Sequence, residues 1–285
     1  IHKNVNQIEE ALAGNVLEVW PDATHMGIPH ISIATTAGTG AEISGISVVL
    51  NERLGVKCNL LNPFINSDIA ILDPELTIGL PPKITAFTGM DALTHAVEGY
   101  FSNKSNAMAD AFALHSAKMI RDNLPTAVSD GENREARANM LQASAMAITS
   151  FALAFSNLPI HNMAHALGAK YGIPHGLANA VLMPSVMKHL APLYLPKVKE
   201  FAHSFGMKEI PESREECLEQ CINEIIALRQ SVNLPDDFSE YEIDEVDMEE
   251  IVSAVQNDPS GQAFRIPEDV ITAVCKEVLG VKVRV

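Results

Sequence analysis

Four histidines and one aspartate stand at intervals that suit a metal ion. Asp91 and His95 are four residues apart, His161 and His165 are four apart, and His175 follows in a Pro174-His175-Gly176 turn. On a helix, residues i and i+4 project from one face about one turn apart, so each pair can converge on a single ion. Spacing alone pairs His161 with His165 as ligands. Taken singly, any of these histidines reads as a core or surface residue; grouped inside sequence that otherwise reads as apolar helix, they read as a site. The set contains no sulfur, which suits Fe²⁺, Zn²⁺ or Mn²⁺ held by nitrogen and oxygen and disfavours a structural Cys-rich zinc. It does not follow the zinc-protease pattern His-Glu-x-x-His either, because Asn162 stands where the general-base glutamate would be. His2, His25, His30, His115, His189 and His203 lack such company and read as structural.

A second stretch, Thr35-Thr36-Ala37-Gly38-Thr39-Gly40, directly follows a strand predicted over Ile28–Ala34. A strand running into such a turn offers small side chains, backbone N–H groups and hydroxyls to an approaching cofactor. Alone, a Gly/Thr-rich turn is more often merely a turn. Its neighbour gives it weight: an α/β unit on one side and a ligand cluster in helices on the other leave a cleft where cofactor and metal can face one another.

The elements that must position these residues fall into two groups. Before Pro81 the sequence predicts a polar helix near Val5–Ala13 and short β-branched runs at Ile28–Ala34, Ile46–Leu50, Val56–Leu61 and Asp68–Leu72, punctuated by Gly, Asn and Pro. After Pro81 apolar residues recur at helical spacing over Lys83–Phe101, Asn106–Asn123, Glu132–Leu153, Ile160–Lys170, Gly176–Leu190, Leu193–Phe205 and Glu215–Ser231. An acidic loop over Asp236–Glu250 leads into a further helix, and Pro267–Leu279 forms the last. The expected architecture is therefore a partial α/β domain over residues 1–80 followed by an all-α helical domain over 81–285.

Composition excludes several classes. With 47% hydrophobic and 20% charged residues, and no unbroken run of about 18 apolar residues, no membrane partner is expected. A formal net charge of −16 repels a phosphate backbone, so no nucleic-acid partner is expected. Cys58, Cys217, Cys221 and Cys275 are too few and too scattered for a disulfide framework, and Cys217 and Cys221 read as buried apolar thiols. With no basic segment leading into an apolar one near Ile1, the expected location is the cytoplasm.

The residues also carry a family likeness. The Thr35–Gly40 turn, Asp73-Pro74-Glu75-Leu76 with Leu80-Pro81-Pro82, the run from Thr88 through Asp91 and His95 to Glu98, and His161 to Gly168 continuing through Pro174-His175-Gly176 together resemble the iron-dependent (group III) alcohol dehydrogenases. The likeness covers roughly residues 30–205; the Asn-Pro-Arg segment often found near that family's end is absent between Asn257 and Pro267. It implies a dehydroquinate synthase-like architecture, the α/β part being a remnant of a dinucleotide-binding domain. It implies Asp91, His95, His161 and His175 as metal ligands, sending His175 rather than His165 to complete the set, with His165 close to nicotinamide and substrate as a candidate proton relay. Thr35, Thr36, Gly38 and Thr39 would contact NAD(P), joined by Lys57, which reads almost as readily as a solvated surface lysine.

The activity so implied is hydride transfer between nicotinamide and a small alcohol or aldehyde, with Fe²⁺ as Lewis acid and Zn²⁺ or Mn²⁺ as substitutes. A homo-oligomer of at least two subunits is expected. The family's Gly-Gly-Gly-Ser phosphate loop is not in this sequence, so the chain as given is expected to bind metal with weakened or absent NAD(P)H binding. Two other readings stay open: a catalytically silent relative or fragment serving as a metal-binding or oligomerisation module, and a glycerol dehydrogenase-like enzyme.

Overall fold

The computed structural model describes residues 27–51, 56–61, 63–241, 243 and 247–279, with backbone alone for 50, 51, 56–61 and 63. The expected helix near Val5–Ala13, along with His2 and His25, lies outside the described residues. Strands β1 (Ile31–Ile33) and β4 (Ile69–Ile71) pair in parallel, Ile31 opposite Ile69 and Ile33 opposite Ile71. Parallel strands need a long connection, and here it carries an antiparallel hairpin, β2 (Ile46–Asn51) with β3 (Val56–Leu61), where a helix is the usual crossover. The hairpin and the turn after β1 both reach the helical part of the molecule.

Ten α-helices are described after Leu80. They are α1 (Pro82–Phe101), α2 (Ala107–Ser129), α3 (Arg134–Leu153), α4 (Pro159–Tyr171), α5 (His175–His189), α6 (Ala191–Tyr194), α7 (Val198–Ser204), α8 (Arg214–Ser231), α9 (Met248–Asn257) and α10 (Glu268–Val278). Their starts follow from local chemistry. Asn106 accepts hydrogen bonds from the N–H groups of Met108 and Ala109, Asn133 from Ala136, and Ser213 from Glu216, satisfying donors that the first helical turn leaves open. At the far end of α4, Gly172 adopts φ 68°, the left-handed conformation that closes a helix with little strain when the residue is glycine.

The central helix is α1. Every residue from Gly89 to Phe101 is buried, and the polar ones among them, Asp91, Thr94, His95 and Glu98, lie inside the molecule too. A helix apolar on nearly all sides must be surrounded, and α2, α3 and α5 pack directly against it. α4 lies on α5, α9 covers α4, and α10 and α8 back α5. Strand β3 rests on α4 and on a short 3-10 turn at Pro259–Gly261, so the hairpin closes over the face where α1, α4 and α5 meet. Among the described residues no helix is long and apolar enough to cross a membrane.

Two helices differ from expectation. The single helix expected over Leu193–Phe205 is two, α6 and α7, because Pro196 has no N–H to continue α6 and Lys197 leaves helical geometry at φ −117°. The reverse occurs at Pro125. The helix expected to stop at Asn123 runs on to Ser129, since Leu124, Ala127 and Val128 bury against the core and outweigh the one backbone bond proline removes.

Candidate metal centre

Asp91, His161 and His175 come from three helices, and one ligand atom of each lies within 4.8 Å of the others. His161 Nε2 is 3.6 Å and His175 Nε2 3.4 Å from Asp91 Oδ1. Asp91 and His161 are almost fully buried, whereas the His175 side chain keeps 31% of its exposure. His95, one turn after Asp91 on α1, stands beside this set: its ring stacks on His161 at a centroid distance of 4.7 Å, with Phe151 packed edge-on at 5.0 Å. His165, paired with His161 by spacing, is not in the convergent set. Its Nδ1 meets Ser260 Oγ at 2.9 Å, and its ring is 5.1 Å from that of His175.

The charges within the set are arranged by burial and proximity. Burial works to raise the Asp91 carboxyl, but the nearby rings of His95, His175 and His161 overcome it and hold the group well below the usual carboxylate range. Burial pushes His95 down to about 4, leaving a neutral imidazole with a lone pair to offer. For His161 burial is opposed by the Glu98 and Asp91 carboxylates, which lift it to about 9. Its folded value thus exceeds the ordinary 6.5, so the protonated ring stabilises the metal-free fold fully below 6.5 and loses that contribution as pH rises through about 9.

A cation on Nε2 must displace that proton. Titration of Zn²⁺ near pH 7.5 is therefore expected to release about one proton from His161, read as a buffer-dependent binding heat in calorimetry; the same heat in buffers of different ionisation enthalpy would contradict it.

Two observations test whether a metal fits. His161 Nε2 and His95 Nδ1 are buried with no hydrogen-bond partner, an expensive arrangement for polar nitrogens unless something else engages them. The donors, one carboxylate and neighbouring imidazoles, match the nitrogen and oxygen preference of Fe²⁺, Zn²⁺ and Mn²⁺. The residues fit the group.

Above the set lies a cavity of about 460 Å³. All four histidines line it, with Ser260 and Thr39 on its polar side and Phe151, Phe155, Leu158 and Ile148 as an apolar wall. Among those residues expected to bind a cofactor whose side chains are described, Thr39 alone is in that lining; Thr35 is exposed and Thr36 half-buried. Gly38 has a packing reason to be glycine. A Cβ there would fall 2.6 Å from Thr88 Cβ and 2.7 Å from its carbonyl oxygen, so glycine lets the turn lie directly on α1, while Ser144 Oγ of α3 donates to the Gly38 carbonyl at 2.9 Å. Lys57 falls on β3, and its side chain lies outside the described residues.

Three residues with no role in the sequence motifs complete the arrangement. Glu98 carries the ring of His161, Asn179 donates to Asp91 Oδ1 at 2.7 Å while approaching His175 Nε2 at 3.3 Å, and Ser260 meets His165. Helical spacing held a signal for two of them, since Glu98 follows Asp91 by seven and Asn179 follows His175 by four. Nothing local pointed to Ser260, which lies 95 residues from His165.

A helical domain with carboxylate and imidazole donors at the base of a cavity defines a class of chain able to hold one divalent cation. Comparison with known families makes this specific. The model described as "Fe-containing alcohol dehydrogenase family, C-terminal" matches residues 85–278, and that described as "Iron-containing alcohol dehydrogenase" matches residues 3–74. The chain belongs to the iron-containing alcohol dehydrogenase family.

Among its relatives, alcohol dehydrogenase 4 of Saccharomyces cerevisiae is 34% identical over 238 residues, which span 81% of this chain and 59% of the yeast protein. The 1,3-propanediol dehydrogenase of Klebsiella pneumoniae is 36% identical over 242 residues, 84% of this chain and 61% of that one. The crystal structure of a 1,3-propanediol oxidoreductase superposes with a TM-score of 0.84 at 34% identity, covering 91% of this chain and 68% of its own. The chain thus spans about three fifths of the length of these two curated relatives, 59% and 61%.

Proposed function

We propose that this chain is the metal-holding part of an iron-dependent, NAD(P)-linked alcohol dehydrogenase acting on small alcohols and aldehydes. The observation that carries the reading is the convergence of Asp91, His161 and His175 at the base of a largely apolar cavity. In this reading residues 1–80 form a partial dinucleotide-binding domain and residues 81–285 the catalytic helical domain, with His95 as fourth ligand from the same helix as Asp91. Thr35, Thr36, Gly38, Thr39 and Lys57 are assigned to the dinucleotide, Thr39 having the best support because it lines the same cavity as the histidines. Names of relatives support the substrate class: alcohol dehydrogenases and 1,3-propanediol dehydrogenases both handle alcohols.

Asp91, His95, His161 and His175 would hold the ion, which would supply Lewis-acid polarisation of a substrate oxygen, and a bound nicotinamide would supply the hydride chemistry. The chain's own residues set the stage for that exchange. Asp91 brings one negative charge among imidazoles, lowering the net charge that the buried site must sustain. Phe151, Phe155 and Leu158 exclude water from one side of the cavity. His165, with Nδ1 on Ser260 Oγ, is placed to pass a proton between the cavity and that hydroxyl. The assembly is a homo-oligomer of at least two chains working in the cytoplasm.

The test is metal content by mass spectrometry on anaerobically purified protein, paired with NADH-dependent aldehyde reduction after adding Fe²⁺ or Zn²⁺. Near-stoichiometric metal is expected, and turnover with it would establish the dehydrogenase reading. Metal without turnover would favour weakened NAD(P)H binding or a metal-holding module, and no metal would dismantle the site.

A further inference from the structure

Glu98 is a carboxylate that is only 2% exposed, and both its oxygens are engaged. Oε1 accepts from the backbone N–H of Ile160 at 2.6 Å and of His161 at 3.4 Å, while Oε2 faces Nδ1 of His161. The first contact answers a local deficiency. α4 begins after Leu158, whose side chain cannot cap, so the open N–H groups of its first turn are satisfied from α1 across 62 residues of sequence. The second contact governs an imidazole. A ring that donates Nδ1–H to a carboxylate presents Nε2 as its remaining nitrogen, and Nε2 is the atom 3.6 Å from Asp91 Oδ1, buried and without a hydrogen-bond partner.

We propose that Glu98 is a positioning residue of the metal centre, which fixes the His161 ring so that Nε2, and not Nδ1, is the atom offered to the ion. The proposal rests on the metal reading above. The same carboxylate ties the ring to the backbone that carries it, so ring orientation and helix start are set by one group. Carboxylates that accept from a ligand imidazole also raise its basicity, and losing such a partner weakens metal affinity about 10–100-fold.

Glu98→Gln separates this role from capping. An amide has one acceptor oxygen and one donor nitrogen. If its oxygen stays on the Ile160 N–H, the NH₂ faces Nδ1 and drives the ring proton to Nε2, blocking the ligand atom. With the metal-free fold checked by circular dichroism, chelator competition is expected to show Zn²⁺ affinity about 10–100-fold weaker in the variant.

A lower melting temperature with unchanged affinity would show a cap only and overturn the proposal. A second measurement needs no variant: in ¹⁵N-histidine-labelled wild-type protein loaded with ¹¹³Cd²⁺, His161 should show a protonated Nδ1 and cadmium coupling at Nε2. Coupling at Nδ1 would overturn the proposal even if the glutamine variant fails to fold. Absence of any metal binding by the wild-type chain would remove the metal reading itself, and the proposal with it.

Discussion

Replacing His175 by alanine is expected to lower metal affinity at least about a hundredfold, His161→Ala to do the same, and His165→Ala to leave the ion in place while slowing turnover. The magnitude follows from position: residues that merely orient a ligand are worth about 10–100-fold, so a ligand itself is worth no less. His161 and His175 each put Nε2 within 3.6 Å of Asp91 Oδ1, whereas His165 turns Nδ1 to Ser260 and stays outside the convergent set. His175→Ala is the cleaner of the two ligand variants. Its side chain is 31% exposed, and after its removal Asp91 Oδ1 still accepts from Asn179, whereas losing His161 leaves the buried Glu98 carboxylate facing only backbone N–H groups. His161→Ala should therefore destabilise the metal-free protein more than His175→Ala does. Bound metal per chain at fixed free Zn²⁺, with urea denaturation of the metal-free proteins, reads both effects. Equal metal loss in all three variants would show that the division among the histidines is wrong.

That division shows how far sequence spacing reaches. The i, i+4 rule finds residues that share a helix face, so it brought forward Asp91 with His95 and His161 with His165; it says nothing of which helix faces which. In the folded chain the convergent set takes one residue from each of α1, α4 and α5, and the near neighbours His95 and His165 stand to either side of it. Only the family likeness pointed to His175 over His165. The strands were well marked, β3 falling on the expected Val56–Leu61, because β-branched runs bounded by Gly and Asn are strong local signals. Helix ends failed where tertiary packing competes with a local rule, as at Pro125, whose helix continues because the residues beyond it are buried. The partners of the site residues were hidden for a different reason. Glu98 reaches His161 over 63 residues and Ser260 reaches His165 over 95, and pairings that long depend on how the helices pack rather than on any periodicity.

Helix packing makes the second large effect fall on a residue with no side chain. Gly176→Ala is expected to cost about 3 kcal/mol of stability and to weaken metal binding, although alanine in a helix ordinarily gains up to about 1 kcal/mol over glycine. The steric contribution wins because a Cβ on Gly176 would lie 2.2 Å from the carbonyl oxygen of Phe87 and 2.6 Å from its carbonyl carbon. Those atoms are backbone of α1 and cannot rotate aside, so the start of α5 must move away. His175 is the residue before Gly176, and Asp91 is one turn beyond Phe87 on α1, so the displacement acts directly on the 3.4 Å approach of His175 Nε2 to Asp91 Oδ1. Gly79→Ala is the matching control, as nothing lies within 4 Å of a Cβ built there. Thermal melts and Zn²⁺ competition on the two variants should separate them, Gly79→Ala staying at wild-type values in both. A Gly176→Ala protein that matched wild type in melting and in affinity would mean that α1 and α5 do not meet as closely as described, and the metal centre built across them would have to be redrawn.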